Sequence, residues 1–247
     1  MDTKGEVSGQ VVVGRYEVIR PLGSGGMGKV FLVRDLETGE KRAMKMIRSQ
    51  YQGNEKAVAR FNREVEAVRH LNHPGIVKIF DAQYDGDRLF YIMEYIEGKS
   101  LYDWLGARKQ LGFGSAVRVL ALVAHALEHA HEVTIHRDIS PDNIMVLPDG
   151  SVRLLDFGLA KLDDANAGLT MVGARMGKIQ YSAPEQRRNA ADVDARADLY
   201  SLGIIFFEIL VGRRPKPGMK LSGLRPDLPQ GCDAFFEKAT AAKREDR

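Results

Sequence analysis

Two neighbouring stretches decide the fold of this chain: Ile135-His136-Arg137-Asp138-Ile139-Ser140-Pro141-Asp142-Asn143 and Leu154-Leu155-Asp156-Phe157-Gly158. Together they hold Asp138, Asn143 and Asp156 within a short part of the sequence. Carboxylate and amide oxygens are hard ligands that suit Mg²⁺, and an aspartate can accept a proton from a hydroxyl. Asn143 and Asp156 are therefore candidate metal ligands, and Asp138 is a candidate general base. The alternative, aspartates that only cap turns, accounts poorly for the combined spacing.

A glycine-rich run, Gly23-Ser24-Gly25-Gly26-Met27-Gly28-Lys29-Val30, lies between two β-rich segments. Glycines let the backbone approach phosphates and present N–H groups to them without a Cβ in the way. A dinucleotide-binding fold would need a helix directly after this run, whereas residues 30–33 predict a strand. Taken alone, the run is also compatible with an ordinary glycine-rich hairpin.

Lys45 and Glu64 form a candidate charge pair. Lys45 lies on the next predicted strand, and Glu64 lies in the middle of a predicted helix. A lysine that binds phosphate needs a carboxylate to orient it, because fixing its flexible stem costs conformational entropy. Each residue alone would be an ordinary surface charge, but together after a glycine loop they indicate a phosphate-binding pair.

The hydrophobic pattern predicts an α+β fold of two lobes. Residues 16–48 alternate β-forming residues with turns, which predicts an antiparallel meander. Apolar residues recur at intervals of three and four over 54–71, which predicts a helix, and two more strands are expected at 76–80 and 89–94. Beyond residue 97 the pattern turns helical: we expect a helix over 116–131 capped by Ser115 and a mostly apolar helix over 198–211.

The predicted boundaries follow from this pattern. Residues 1–15 are expected to be an N-terminal extension and a candidate for disorder. Residues 16–96 form the smaller, nucleotide-binding β lobe with one key helix, and residues 97–247 form the larger, mainly helical catalytic and substrate-binding lobe.

Composition excludes several classes of protein. The 247 residues are 44% hydrophobic and 28% charged with a net charge of +3, which fits a globular protein without a nucleic-acid partner. The single cysteine, Cys232, excludes an intramolecular disulfide. We find no signal peptide in residues 1–15. The most apolar stretch, residues 202–211, is about half the length that spans a bilayer. A cytoplasmic chain without a membrane segment is therefore expected.

From Tyr16 to Arg247 the chain resembles the eukaryotic-type serine/threonine protein kinases that bacteria also carry. The resemblance rests on the glycine run, Lys45, the two stretches quoted first, and Ala183-Pro184-Glu185. It implies transfer of the γ-phosphoryl group of ATP to a protein serine or threonine, with Mg²⁺ as the metal and Mn²⁺ as an alternative.

The resemblance also assigns roles to individual residues. Lys45 would contact the α- and β-phosphates and pair with Glu64, Asp138 would be the base, and Asn143 with Asp156 would bind the metals. Glu185 would pair with Arg247, and Asp198 would brace the catalytic loop. The nucleotide site implied by the resemblance comprises Leu22, Gly23, Ser24, Gly25, Gly26, Gly28, Val30, Ala43, Lys45, Met93, Glu94, Ile96 and Met145.

Two substitutions depart from the family pattern beside the catalytic aspartate. Most relatives have a lysine two residues after it, where its charge meets the γ-phosphate, but this chain has Ser140. Relatives usually have a threonine after the glycine that precedes Ala183-Pro184-Glu185, but here Gly177 is followed by Lys178. We therefore hypothesise an exchange, in which Lys178 supplies the charge and Ser140 the hydroxyl. The alternative is a site that has lost its lysine.

Regulatory features are predicted as well. Arg137 precedes the base and is a candidate partner for a phosphorylated activation loop, in which Thr170 is the predicted autophosphorylation site. Autophosphorylation of this kind makes a homodimer a candidate state.

After the apolar helix, residues 212–218 replace a helix of the relatives with an abbreviated connection. The resemblance also implies a C-terminal lobe truncated at Arg247.

Two other functions remain open from the sequence. A pseudokinase would bind nucleotide or a partner without catalysis, and Ser140 is its best support. A small-molecule phosphotransferase would share the aspartates but is not expected to keep both the glycine run and Ala183-Pro184-Glu185, which favour a protein acceptor.

Overall fold

The computed structural model describes residues 8–25, 28–47, 62–63, 65–85, 88–157, 178–189 and 192–247, without the side chains of Arg108 and Lys178. The chain divides into two compact units. The first, here the sheet unit, comprises residues 1–72, 77–97 and 159–169, and the second, the helical unit, comprises 73–76, 98–158 and 170–247. The predicted α+β class is confirmed, with an antiparallel sheet in one unit and mainly helices in the other.

The sheet unit is built on six antiparallel strands. They are β1 (Val11–Val12), β2 (Tyr16–Ser24), β3 (Gly28–Asp35), β4 (Lys41–Ile47), β5 (Ile79–Asp85) and β6 (Arg88–Glu94), in the order β1-β2-β3-β4-β6-β5. Side chains alternate across a strand, so one face can bury its apolar residues. That buried set is Val12, Tyr16, Val18, Phe31, Val33, Met44, Phe90 and Ile92.

The first strand corrects the predicted N-terminal extension. Val11 and Val12 pair with Glu17 and Tyr16, and the Gly9 amide donates to the Val18 carbonyl at 2.8 Å. Val12 is only 2% exposed. The consecutive β-branched residues at 11–13 favour a strand with a buried face, so Val11–Val12 adds an edge strand to the sheet within the predicted extension.

The helix predicted for residues 54–71 is described only in part. Residues 65–69 are helical, and Val65 and Val68 are buried, as the apolar stripe predicts. Residues 54–61 and Glu64 lie outside the described residues.

The helical unit contains six α-helices in its described part. They are α1 (Leu101–Arg108), α2 (Phe113–His131), α3 (Pro184–Arg188), α4 (Arg196–Val211), α5 (Leu221–Leu224) and α6 (Cys232–Ala239). A small sheet joins β7 (Lys99–Ser100), β8 (Ile144–Val146) and β9 (Val152–Leu154). Short 3₁₀ helices occur at Pro141–Asn143, Lys178–Gln180 and Arg244–Asp246.

Two predicted helix starts are corrected. Helix α2 begins at Phe113, with Gly112 as its N-cap, so Ser115 lies inside the helix and does not cap it. Helix α4 begins at Arg196, two residues before the predicted start. Glycine is accepted at an N-cap, and this capping gives no side-chain signal in the sequence.

Helix α4 is the buried centre of the helical unit. Most of its residues are buried, and Gly212 ends it with a left-handed φ of 79°. A Cβ at Gly212 would collide with the Lys109 carbonyl oxygen, so only glycine fits this end. Among the described residues, no helix combines the length and apolar character needed to cross a bilayer.

Candidate active site

A β-hairpin fixes the positions of Asn143 and Asp156. Strands β8 and β9 are antiparallel, with Ile144 paired to Leu154, and the Leu155 amide donates to the Asn143 carbonyl at 2.9 Å. The residue before β8 and the residues after β9 therefore lie at the same end of the hairpin. Asp156 has a left-handed φ of 59°, which is uncommon for a side chain with a Cβ and is a feature of functional sites.

Asp138 and Asn143 are in direct contact. The Asn143 amide nitrogen donates to the Asp138 carbonyl at 2.8 Å and to the Asp138 carboxylate at 3.0 Å. Asn143 is 3% exposed, and its backbone N–H donates to the Ser140 carbonyl. Because the amide nitrogen makes both side-chain bonds, the amide oxygen is the atom that Asn143 can offer to a cation.

Asp198, which is fully buried on α4, holds the loop that carries Asp138. Its carboxylate accepts the His136 N–H at 2.9 Å, the Arg137 N–H at 2.8 Å and the His131 Nε2–H at 2.8 Å. The predicted brace is therefore confirmed. Arg137 has a left-handed φ of 64°, a conformation that costs on the order of 1 kcal/mol for a residue with a Cβ. The two backbone hydrogen bonds to Asp198 offset this cost.

His136 ties the same loop to the segment around Asp156. Its Nε2–H donates to the Leu155 carbonyl at 2.8 Å, its Nδ1 accepts the Asp138 N–H at 3.3 Å, and its ring lies 4.4 Å from that of Phe157. Burial lowers the pKa of His136, because a charged ring would lose its hydration. The neutral ring therefore links the segment of Asp138 to the segment of Asp156.

The position of Ala183-Pro184-Glu185 is fixed by a buried ion pair. Arg247, whose side chain is fully buried, donates to both carboxylate oxygens of Glu185 at 2.6 and 2.8 Å. The Arg247 guanidinium lowers the pKa of Glu185. The predicted pair is confirmed.

Gln186 connects this segment to the catalytic loop and was not predicted from the sequence. Its amide oxygen accepts the Ala183 N–H at 2.8 Å, and its amide nitrogen donates to the Arg137 carbonyl at 2.9 Å. A glutamine three residues after a helix N-cap is a known capping residue, and this spacing from Ala183 was the available signal.

Ser140 lies buried two residues after Asp138, the predicted base. It is 0% exposed, and among the described residues its Oγ is a buried side-chain polar atom without a hydrogen-bond partner. Lys178 begins the 3₁₀ helix Lys178–Gln180, and its side chain lies outside the described residues, as does all of Thr170. The predicted Lys178 contact therefore remains a prediction.

The residues of the glycine run at 23–24 and 28–30 belong to neighbouring antiparallel strands of the sheet unit. Gly23 and Ser24 pair with Val30 and Lys29, and the Gly25 N–H donates to the Gly28 carbonyl at 2.9 Å. Strand β3 follows directly, so the dinucleotide-binding alternative is excluded. A Cβ at Gly28 would collide with the backbone oxygen of Met46. Gly26 lies outside the described residues.

The other nucleotide-site residues of the sheet unit lie on adjacent strands. Lys45, 6% exposed, pairs with Val30 on one side and Tyr91 on the other, and Ala43 pairs with Met93. Glu94 ends β6, and Leu22 is 36% exposed on β2. Strand pairing thus brings together the predicted phosphate-binding lysine and the predicted apolar walls. Ile96 follows β6, and Met145 lies on β8 of the helical unit.

Fold and site together define a protein kinase catalytic domain. Residues 16–228 match the family model described as the protein kinase domain, and the chain belongs to this family. It is 32% identical over 249 residues to the serine/threonine-protein kinase PrkC of Bacillus subtilis (strain 168), covering 94% of this chain and 38% of that protein. It is 36% identical over 260 residues to the probable serine/threonine-protein kinase PknB of Bifidobacterium longum (strain NCC 2705), covering 95% and 38%.

A solved structure gives the same result. The kinase domain of Mycobacterium tuberculosis PknI superposes with a TM-score of 0.80 at 30% identity, covering 98% of this chain and 94% of that one. The chain spans 38% of the length of both curated relatives.

Proposed function

We propose that this chain transfers the γ-phosphoryl group of Mg-ATP to serine or threonine hydroxyls of protein substrates. The observation that carries the proposal is the contact of Asn143 with Asp138 at the end of the hairpin that leads to Asp156. The relatives named above as serine/threonine-protein kinases support the choice of acceptor.

The donor set suits a magnesium ion. Asn143 contributes an amide oxygen and Asp156 a carboxylate, and hard oxygen ligands of this kind also accept Mn²⁺. The bound metal would neutralise charge on the phosphates. Asp138 would accept the proton of the acceptor hydroxyl, and the Asn143 amide nitrogen orients its carboxylate for this role.

The sheet unit would bind the nucleotide. Lys45 would contact the phosphates with Glu64 as its partner, and backbone N–H groups of the glycine run would contact phosphate oxygens. The adenine would contact the backbone of Glu94 and Ile96. Apolar contacts would come from Leu22, Val30, Ala43, Met93 and Met145.

The buried Ser140 hydroxyl supports the proposed exchange with Lys178. A buried hydroxyl without a partner costs about 1–3 kcal/mol, so a donor or acceptor that enters the site gains from pairing with it. We propose that the Lys178 ammonium fills this role and also supplies the positive charge next to Asp138.

The exchange predicts a kinetic signature. Lys178→Met should lower kcat about 100-fold with little change in the KM for ATP, because the charge acts mainly in the transition state. The double variant Ser140→Lys/Lys178→Thr, which restores the arrangement of most relatives, should recover much of the loss. Turnover of Lys178→Met at the parental rate would contradict the exchange.

Labelled ATP tests the function itself. The parent, Asp138→Asn and Asp156→Ala are incubated with γ-labelled ATP and a generic protein acceptor, followed by phosphoamino-acid analysis. We expect phosphoserine or phosphothreonine with the parent and none with the two variants. ATP binding without transfer would instead favour a pseudokinase, and label found only in small acceptors would favour a small-molecule phosphotransferase.

Mass spectrometry of the active parent tests activation. We propose phosphate on Thr170, bound by Arg137, after transfer between two copies of the chain. The initial rate of autophosphorylation should then rise with the square of enzyme concentration. Active protein without phosphate in residues 158–177 would contradict this route.

A further inference from the structure

The connection after helix α4 is strongly basic. Between Glu208 and Asp227 the sequence contains no aspartate or glutamate, while it contains Arg213, Arg214, Lys216, Lys220 and Arg225. Residues 212–220 of this stretch are here called the basic loop. An uninterrupted run of one charge sign near a substrate site creates a local positive potential.

Only part of this charge is compensated within the described residues. Arg225 makes a two-pronged pair with Asp227 at 2.8 and 2.7 Å, and Lys220 lies 3.6 Å from Glu237. Arg213 and Lys216 are exposed and have no ion pair in the described part of the chain. These two side chains therefore present their charge to solvent.

The backbone of the basic loop is constrained. Gly212 is held in a left-handed conformation against Lys109, and Pro215 and Pro217 fix φ on either side of Lys216. The Met219 N–H closes a turn on the Lys216 carbonyl at 3.1 Å. A loop held in one conformation loses less entropy when it binds a partner.

Arg214 places the basic loop next to Tyr181, which precedes Ala183-Pro184-Glu185. Its guanidinium lies 5.9 Å from the centre of the Tyr181 ring, and the Tyr181 hydroxyl donates to Glu208 at 2.5 Å. Burial raises the pKa of Glu208, and the charge of Asp142 adds to this effect while Arg214 opposes it. Tyr181 lies two residues before Ala183, and the helix that starts there is joined to the Arg137 carbonyl by Gln186. The basic loop therefore borders a segment that is linked to the loop carrying Asp138.

We propose that the basic loop binds acidic side chains that flank the phosphorylated residue of the protein substrate. This inference rests on the proposed function. Asp142 and Glu208 carry the opposite charge, but the Glu208 carboxylate already accepts the hydrogen bond of the Tyr181 hydroxyl. Arg213 and Lys216 are exposed and positively charged. A substrate segment with negatively charged side chains is therefore complementary to the basic loop.

Peptide kinetics test the charge preference. Three peptides share one serine or threonine core and differ only in their flanks, which are acidic, neutral or basic. Two exposed ion pairs should favour the acidic peptide by about tenfold in kcat/KM, and the preference should shrink at high salt. Equal rates for the acidic and neutral peptides, or a preference for the basic peptide, would overturn the proposal.

Charge reversal identifies the loop. Arg213→Glu/Lys216→Glu should lose the preference for the acidic peptide while kcat/KM for the neutral peptide stays within about twofold. The matched control, Arg118→Glu/Lys243→Glu, carries the same change in net charge on other elements of the helical unit and should keep the preference. Equal losses in both double variants would show a general charge effect and contradict the basic loop as the binding surface.

A binding measurement separates this inference from the proposed function. A labelled acidic peptide with alanine in place of the acceptor cannot be phosphorylated, and its anisotropy reports binding alone. We expect the parent to bind it about tenfold more tightly than the Arg213→Glu/Lys216→Glu variant does. Binding without any phosphoryl transfer would contradict only the proposed function, whereas transfer without binding preference would contradict only the basic loop.

Discussion

The sheet unit and the helical unit hold their site residues by different means. In the sheet unit, Lys45, Ala43 and Met93 stand on regular strands, and the backbone pairing of β3, β4 and β6 sets their positions. In the helical unit, Asp138 and Asn143 stand on a loop and a short 3₁₀ helix, and individual buried polar contacts set their positions.

This difference predicts different responses to substitution. A residue positioned by a strand depends on backbone hydrogen bonds and on apolar packing that many side chains can provide. A loop positioned by a few buried polar contacts depends on each of them, because an unpaired buried N–H cannot find another partner. A substitution in the sheet unit should therefore lower stability without an equal loss of turnover. A substitution that removes a buried polar contact in the helical unit should lower both stability and turnover.

The largest expected effect comes from Asp198→Ala. Removing the carboxylate leaves the N–H groups of His136 and Arg137 without their acceptor, which should cost about 3–5 kcal/mol of unfolding free energy. The loop would shift, and kcat should fall about 100-fold in the protein that remains folded. Urea unfolding and phosphoryl-transfer assays measure both. Asp246→Ala, at an exposed position, is the control and should change neither quantity. An unchanged kcat in Asp198→Ala would contradict the dependence of the helical unit on buried polar contacts.

Met44→Ala should affect stability without a matching loss of turnover. Met44 is 0% exposed in the core of the sheet unit, and truncating it should cost about 2–5 kcal/mol. At a temperature where the variant stays folded, kcat should remain within about threefold of the parent, because the strand pairing of Lys45 persists. Lys41→Ala, at the exposed start of the same strand, serves as the control. A kcat loss as large as that of Asp198→Ala would remove the distinction between the two units.

The Glu185–Arg247 pair gives an effect of intermediate size. Glu185→Gln leaves the buried Arg247 guanidinium without its counter-charge and should cost about 2–3 kcal/mol at neutral pH. Because Arg247 lowers the pKa of Glu185, the parent has this stabilisation above pH 4.5, the ordinary value, and loses it as pH falls through the lowered folded pKa. Urea midpoints between pH 7 and pH 3 should therefore converge for the parent and the variant. A constant difference over that range would contradict the pair as the cause.

The smallest effect concerns His73, a residue of the helical unit. Its Nδ1 accepts the Gly75 N–H at 2.9 Å, and burial together with the nearby His129, His125 and Arg153 lowers its pKa. Below pH 6.5 the unfolded chain takes up a proton that the folded chain resists, so stability falls as pH drops.

The variant His73→Asn keeps an acceptor but cannot titrate. It should lose less stability than the parent between pH 7 and pH 5, by about 1 kcal/mol or less, as measured by urea unfolding at the two pH values. The pKa of His136 is also lowered, so His136 contributes a loss of stability at low pH in both proteins. The pH dependence of stability should therefore be smaller in the variant but still present. Identical pH dependence in parent and variant would contradict a contribution from His73.

The sequence predicted most of the sheet unit because strand periodicity is local. It missed the strand at Val11–Val12, whose pairing with Tyr16 and Glu17 depends on a short turn and not on a long alternating pattern. In the helical unit the motifs located Asp138, Asn143 and Asp156, because one hairpin connects Asn143 to Asp156 and Asp138 lies only five residues before Asn143. The links made by Gln186 and His131 join residues far apart in the chain, and no local pattern reports such contacts. The burial of the Ser140 hydroxyl, which has no hydrogen-bond partner within the described part of the chain, depends on packing in the same way.

The two amide groups bound to Asp198 also have a consequence for motion. The N–H of His136 and that of Arg137 both point into a carboxylate that solvent does not reach, so they exchange with deuterium only when the loop and helix α4 separate. Their exchange should be among the slowest in the chain, close to the rate of global unfolding. We therefore expect the backbone at His136 and Arg137 to keep its conformation when other segments of this kinase domain move.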